Sequence, residues 1–501
     1  MNNAVEANVL PNEDALKAAG SEHLFIHASS YRALANDTSK RILVEGDGAI
    51  VKDIEGKEYI DGLAGLWLVN AGHGRQEIAD AYARQAGTLA YASSTQETTI
   101  PAIELATRLA ELTPGDQATA FFCSGGSEAV ESAIKIARQY HYFNGEPKRS
   151  KIIGRRGSYH GATYGAMSVS GTRPASEPYH SPFMHGVLHA SPPYCYRCDF
   201  RHSFPGCDLL CADQIEQIIN YENPKTVAAV IAEPISASGG IVVPPDGYWA
   251  RLREICDRHG ILLITDEVIN GFGRTGRMFA SEHWDLVGDI MTIAKGLASG
   301  YAPIGAVMCR PHVVEAFEGD NKLSHLLTYG GHAAACAAAL KNLEIFEREG
   351  LVANSQSMGA RLRAGLEGLS DHPCVGEVRG LGLLVGLEMV KDKDSKEKFA
   401  EDGPELKTLG EGLAERGLLT RIGGVLPLSP PLCITAEQVD RTVAIIDDSL
   451  TEMEAARGWH GDSMNIEYGL DAEVAFAQGF GDLFFGLVAH QVHAGDTRHR
   501  L

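Results

Sequence analysis

Seven short apolar runs, separated by stretches with helical spacing, do most to restrict the folds open to this chain. They are "ATAFFCS", "SKIIGRR", "HGVLHA", "TVAAVIAEP", "GILLITDEV", "DIMTIAK" and "IGAVMCR", all between residues 118 and 310. Each is apolar on both faces, whereas a strand with one wet face alternates. Strands covered on both sides belong to a mostly parallel sheet with helices packed above and below, which predicts an α/β fold. The chain has 501 residues, more than one hydrophobic core normally organises, so a second, smaller domain is expected. "GAIVKDIEGKEYIDGLAG" (48–65) alternates around a Glu-Gly turn and predicts a hairpin. A long helical stretch over 333–368 leads out of the large domain. "VGEVRGLGLLVGLEMV" then predicts a strand pair, "LKTLGEGLAERG" a helix and "VLPLSPPLCI" short strands. The resulting division is an N-terminal arm with part of the small domain over 1–70, a large domain over 71–330, a C-terminal small domain over 331–455 and a poorly periodic tail over 456–501.

The balance of 44 basic against 65 acidic residues gives a net charge of −21. That argues against a nucleic-acid backbone or an anionic membrane surface as partner. The first 25 residues lack the basic start and apolar core of a signal peptide, and no apolar run reaches membrane-spanning length, so a cytoplasmic protein is expected. Six of the ten cysteines (Cys123, Cys256, Cys309, Cys336, Cys374, Cys433) lie among apolar or small residues and read as buried free thiols. The other four, Cys195, Cys198, Cys207 and Cys211, stand in "CYRCDFRHSFPGCDLLC". A C-x2-C followed by a C-x3-C suits zinc, two disulfides or four free thiols, and the sequence leaves the three open.

Ligands of open α/β sheets bind beyond the carboxyl ends of the strands, and four features fall there. In "FFCSGGSEAVESAIKIARQY" a strand enters a Gly-rich turn and a helix leaves it. Gly125 and Gly126 permit close approach of a ligand, and the helix N–H groups with the Ser127 hydroxyl suit a phosphate. In "ILLITDEVINGFGRTG", Asp266 and Glu267 end a strongly apolar strand, where a carboxylate needs a cation or a set of donors. In "TIAKGLASG", Lys295 stands where a small or apolar residue is usual. A desolvated lysine becomes a nucleophile towards aldehydes. In "GSYHGATYGAMSVSG", Tyr159 and His160 follow a strand and offer an aromatic ring to a flat ligand. Each feature alone has an ordinary structural reading. Together, a phosphate cradle, a carboxylate for a ring nitrogen, an amine for an aldehyde and a stacking ring suit pyridoxal 5′-phosphate.

The stretches "DGLAGLWLVNAGHGR", "SGGSEAVESAIKIAR", "SYHGAT", "IAEPISASGGIVVPPDGYW", "ITDEVINGFGRTG", "TIAKGLASGYAPIGAV", "LTYGGHAAACAAAL" and "VRGLGLLVGLE" occur in that order over about residues 25 to 455. On these the chain resembles the class III aminotransferases of pyridoxal-phosphate fold type I, most closely the ω-amine:pyruvate transaminases. The resemblance implies a homodimer or higher assembly that moves an amino group from an amine or ω-amino acid to a keto acid, pyruvate foremost, by a ping-pong mechanism. It implies that Lys295 is the Schiff-base lysine and that Asp266 holds the pyridine nitrogen. Val268 packs under the ring and Tyr159 over it, with His160 and Glu233 beside the cofactor. Gly126 and Ser127 are phosphate ligands, and Thr328 reaches the phosphate of a neighbouring subunit. Trp67 lines the substrate pocket, and Arg421 reads the substrate carboxylate. Other enzymes on the same scaffold, an aminomutase or a decarboxylase, and a non-catalytic relative remain alternatives. The chain departs from the family in reading Gly-Gly-Ser where Ser-Gly-Ser is common, in a stretch after Arg421 one residue shorter than expected, and in its tail.

Overall fold

The computed structural model describes residues 12–37, 39–171 and 184–458. Most of the tail reading over 456–501 therefore lies outside the described residues. The seven apolar runs are the seven strands of one sheet: β4 (Thr119–Cys123), β5 (Lys151–Arg155), β6 (Val187–Ala190), β7 (Val227–Ala232), β8 (Leu262–Asp266), β9 (Ile290–Ile293) and β10 (Gly305–Cys309). Their order is β4-β10-β9-β8-β7-β5-β6. The pairs from β9 through β8, β7 and β5 to β6 are parallel, while β10 runs antiparallel to both neighbours.

Strand side chains alternate between faces, and the two packed layers follow that alternation. Ile152, Ala229, Ile231 and Ile264 meet Ala129, Val130, Ala133 and Ile134 of the helix Gly126–Phe143. Their strand neighbours Ile153, Val230, Ala232 and Leu263 meet Trp249, Leu252 and Ile255 of the helix Tyr248–His259. Both faces are thus covered, which is why the strands read as unbroken apolar runs.

Two smaller sheets come from the chain ends. β1 (Leu43–Asp47), β2 (Ile50–Asp53) and β3 (Glu58–Asp61) form an antiparallel meander. The short β13 (Leu418–Leu419) joins it parallel to β3, so the N-terminal segment and the C-terminal third share one sheet. β11 (Val375–Leu381), β12 (Leu384–Met389) and β14 (Val425–Leu428) make a three-stranded antiparallel sheet. The helical stretch expected over 333–368 is two helices, Ala333–Arg348 and Leu351–Glu367. They are broken at Glu349–Gly350, where Gly350 takes a left-handed φ of 62°. The last described helix, Ala436–Arg457, opens on a Thr435/Gln438 capping box. No described helix is long and apolar enough to cross a membrane.

Candidate active site

β8 ends on Asp266 and β9 ends just before Lys295, on adjacent parallel strands. Sheet pairing therefore brings the two residues to one edge. Asp266 is 3 % exposed, and three donors meet its carboxylate. His160 Nδ1 lies 2.6 Å from Oδ2, while Thr292 Oγ1 (3.0 Å) and the Val268 N–H (3.1 Å) donate to Oδ1. A carboxylate oxygen only accepts, so the proton on that bond is on His160 Nδ1. His160 Nε2 is buried and has no hydrogen-bond partner among the described residues. Thr292 carried no signal in the sequence beyond being one hydroxyl inside an apolar strand.

Lys295 takes a left-handed φ of 47°, uncommon for any residue but glycine and a mark of functional positions. Its side chain is partly exposed, yet closely surrounded by protein. Burial pushes its amine down to about 8, while the carboxylates of Asp266 and Glu233 pull the other way. Glu233, 2 % exposed, accepts the backbone N–H groups of Tyr159 (3.2 Å) and Ala237 (3.2 Å) and the Ser236 hydroxyl (3.0 Å). Burial raises its carboxyl, and Asp266 adds to the rise. Glu267, next to Asp266 in the chain, does not reach the surface. It is fully buried, accepts from the Ala280 and Ser281 N–H groups, and burial pushes it up to about 7.

The helix Gly126–Phe143 begins with no side-chain cap. A Cβ on Gly125 would have nothing within 4 Å, so there is space before that N-terminus. A Cβ on Gly126 would meet Val268 Cγ1 at 2.7 Å, which puts the helix start directly against the residue two past Asp266. Ser127 Oγ accepts from the Ala162 N–H (3.0 Å) and so ties the helix to the loop that carries Tyr159 and His160. Tyr159 is 38 % exposed. Gly126, Ser127, Tyr159, His160, Glu233, Asp266, Val268 and Lys295 are therefore one connected group.

The remaining expected residues are placed differently. Trp67 is buried in an apolar cluster with Ile235, Ala237 and Ile269, beside the Glu233 segment, and its indole N–H has no partner among the described residues. Thr328 and Arg421 are exposed. The Thr328 carbonyl accepts from Tyr91 Oη (3.0 Å), and Arg421 lies between β13 and β14. Neither bonds to the group above among the described residues.

Cys195, Cys198, Cys207 and Cys211 are free thiols that line one cavity with Tyr194, Phe204 and Pro245. No three His, Cys, Asp or Glu side chains among the described residues are placed to hold a metal ion. This loop is fastened to β12 by Arg197 on Glu388 (2.5 Å).

A model of the class III aminotransferase family matches residues 32–450. The chain belongs to the class III aminotransferases. It is 42 % identical over 426 residues to an uncharacterized aminotransferase, YhxA, of Bacillus subtilis, covering 83 % of this chain and 93 % of that one. It is 36 % identical to a putrescine–pyruvate aminotransferase of Pseudomonas aeruginosa over 88 % of this chain and 96 % of that protein. Among solved structures, an (S)-enantioselective ω-transaminase from Thermomicrobium roseum superposes with a TM-score of 0.85 at 40 % identity, covering 88 % of this chain and 99 % of that chain. Class III aminotransferases depend on pyridoxal phosphate. The site fits that cofactor: it pairs an uncapped helix N-terminus beside open space, suited to a phosphate, with a desolvated amine and a buried, triply bonded carboxylate.

Proposed function

We propose that this aminotransferase moves an amino group from an amine or ω-amino acid to a keto acid, with pyruvate as acceptor, in two half-reactions that share one site. The observation that carries the reading is Lys295, held in a left-handed turn with its amine lowered to about 8 next to Asp266 and Glu233. The pyruvate-using relatives support the acceptor: the putrescine enzyme and a taurine–pyruvate aminotransferase of Bilophila wadsworthia, 38 % identical.

Gly126, Ser127 and the free N–H groups of their helix would hold the phosphate. Asp266 would hold the ring nitrogen, with Val268 and Tyr159 on the two faces. When bound, pyridoxal phosphate supplies an aldehyde for the amine and a ring that accepts electron density from the reacting carbon. Lys295 is the base that takes the proton from the donor's reacting carbon, and it returns a proton to carbon in the acceptor half. An amine poised near neutral pH can do both, which one titrating at 10.5 cannot. His160 and Thr292 orient the Asp266 carboxylate. Glu233 fixes the backbone of Tyr159 and so the position of its ring. Trp67 walls the substrate side, and Arg421, free to swing from its exposed turn, pairs the keto-acid carboxylate through two parallel hydrogen bonds.

Two copies assemble in this reading, with Thr328 completing the neighbour's phosphate site. Thr328 is exposed, Leu326 and Tyr329 beside it are exposed large apolar side chains, and so is Tyr91, which bonds to it. The test is a panel of amines and ω-amino acids with pyruvate, scored by alanine formed. No alanine from any donor, with the holoenzyme intact, overturns the reading.

A further inference from the structure

Lys295 reaches the site only because the chain after β9 turns sharply. Ala294 is extended (φ −166°), Lys295 is left-handed, and residues Lys295–Leu297 form one short 3-10 turn. A left-handed φ is costly for a residue with a side chain, so its surroundings have to favour it. The turn's own bonds, Leu297 N–H to Ala294 O (3.0 Å) and Ala298 N–H to Lys295 O (3.3 Å), leave the Gly296 and Leu297 carbonyls unused. Both are taken by one side chain from 46 residues away. The Asn342 amide donates to Gly296 O and to Leu297 O, each at 2.9 Å. Asn342 is fully buried among alanines of the helix Ala333–Arg348, and its Oδ1 has no partner among the described residues. Its burial is therefore supported by these two bonds alone. From the other side, Gly296 is pressed against Asn70 and Phe272. A Cβ there would meet Asn70 Nδ2 at 2.5 Å and Phe272 Cβ at 2.9 Å. Asn70 cannot yield easily, because it donates to Phe272 O (2.8 Å) and accepts from Arg274 (2.6 Å).

We propose that Asn342 is a positioning residue for Lys295: by clamping the two carbonyls that follow it, the Asn342 amide holds the left-handed turn that aims the lysine amine into the cleft. The inference rests on the reading of Lys295 as the proton-transferring amine. Without the clamp two buried carbonyls lose their donor. The turn then relaxes by letting Lys295 return to an ordinary φ, which swings the amine away. Misplacement of a reacting group by about 1 Å lowers rate on the order of a hundredfold, largely without loss of substrate binding.

The experiment compares Asn342→Leu, which keeps the shape and removes both donors, with Asn342→Ser, which keeps one donor, and with Lys295→Ala. All are prepared as holoenzyme, with cofactor content measured. For Asn342→Leu we expect kcat per loaded site to fall about tenfold to a hundredfold with KM for the amine within about threefold. The pH midpoint of the cofactor's visible absorbance should move, and Asn342→Ser should fall between it and wild type. Where Asn342→Leu does not fold, the same two readouts on Asn342→Ser decide. Unchanged kcat per loaded site and an unchanged spectral midpoint, with only a lower melting temperature, would show that Asn342 merely packs the core. An active Lys295→Ala would instead overturn the reading of Lys295 itself, whatever Asn342 does.

Discussion

The lowered amine of Lys295 makes a quantitative claim about the protein without its cofactor. Burial favours the neutral form and brings the value from 10.5 to about 8, against the pull of Asp266 and Glu233. At pH 7.5 about a quarter of such amines are neutral, against about 0.1 % for an ordinary lysine, a roughly 240-fold difference in nucleophile. Stripped enzyme is pulsed with trinitrobenzenesulfonate between about pH 6 and 11, and peptides are quantified by mass spectrometry. The Lys295 peptide should label with a midpoint near 8, and exposed Lys407 serves as the reference. Glu233→Gln removes a carboxylate that favours the ammonium form, so the Lys295 midpoint should move further down. A wild-type Lys295 midpoint at or above about 10 would refute the desolvation argument, and an upward move in Glu233→Gln would refute the assigned role of that carboxylate.

Thr292→Val deletes one of three donors to a buried carboxylate, a bond of about 1.5–3 kcal/mol. Cofactor binding by the stripped enzyme should loosen about tenfold or more, by absorbance titration, with little change in melting temperature; an unchanged affinity would separate Thr292 from the Asp266 site. His372 bridges Glu454 (2.9 Å) and Asp447 (2.8 Å). Burial lowers its pKa, but the two carboxylates outweigh burial and raise it overall. A raised folded-state pKa contributes stability that is fully present below about 6.5 and lost as pH rises through the folded value. His372→Gln should therefore cost more stability at pH 6 than at pH 9 by thermal denaturation, and equal losses at both would contradict the ion-pair account. Arg421→Ala should slow the pyruvate half-reaction about tenfold or more while sparing that of an uncharged amine, measured by stopped-flow absorbance; equal losses would mean that another group reads the carboxylate.

What was legible in the sequence and what was not divide along a physical line. A strand covered on both faces has to be apolar along its length, so the seven sheet strands announced themselves. Residues at the ends of those strands stood out because Asp266, Glu267 and Lys295 are costly in apolar surroundings. The turn Gly125–Ser127 stood out for its paired glycines, read as room for a ligand; the structure leaves that room at Gly125 and sets Val268 against Gly126. Each of these is a mismatch between one residue and its immediate neighbours in the chain. Which groups meet Glu267 was not visible, because its donors are the Ala280 and Ser281 N–H groups, and a backbone donor leaves no mark on residue identity.

The supporting groups were invisible for a related reason. Thr292 is a good strand former, and Asn342 sits in an alanine-rich helix with nothing local to single it out. Their roles exist only through partners brought close by the fold, 26 residues away for Thr292 and 46 and 45 for Asn342. The same holds for Asn70 and Arg274, which meet across 204 residues beneath the Lys295 turn. A strained backbone at the reacting residue has to be held by bonds stronger than its own preference. Local bonds within a three-residue turn cannot supply them, because their donors and acceptors move with the strain. The holding groups therefore have to come from elements fixed independently of the turn, here a helix on one side and the N-terminal segment on the other. Such groups escape a reading that proceeds residue by residue along the chain, and they are where substitutions far from Lys295 in sequence should alter its chemistry.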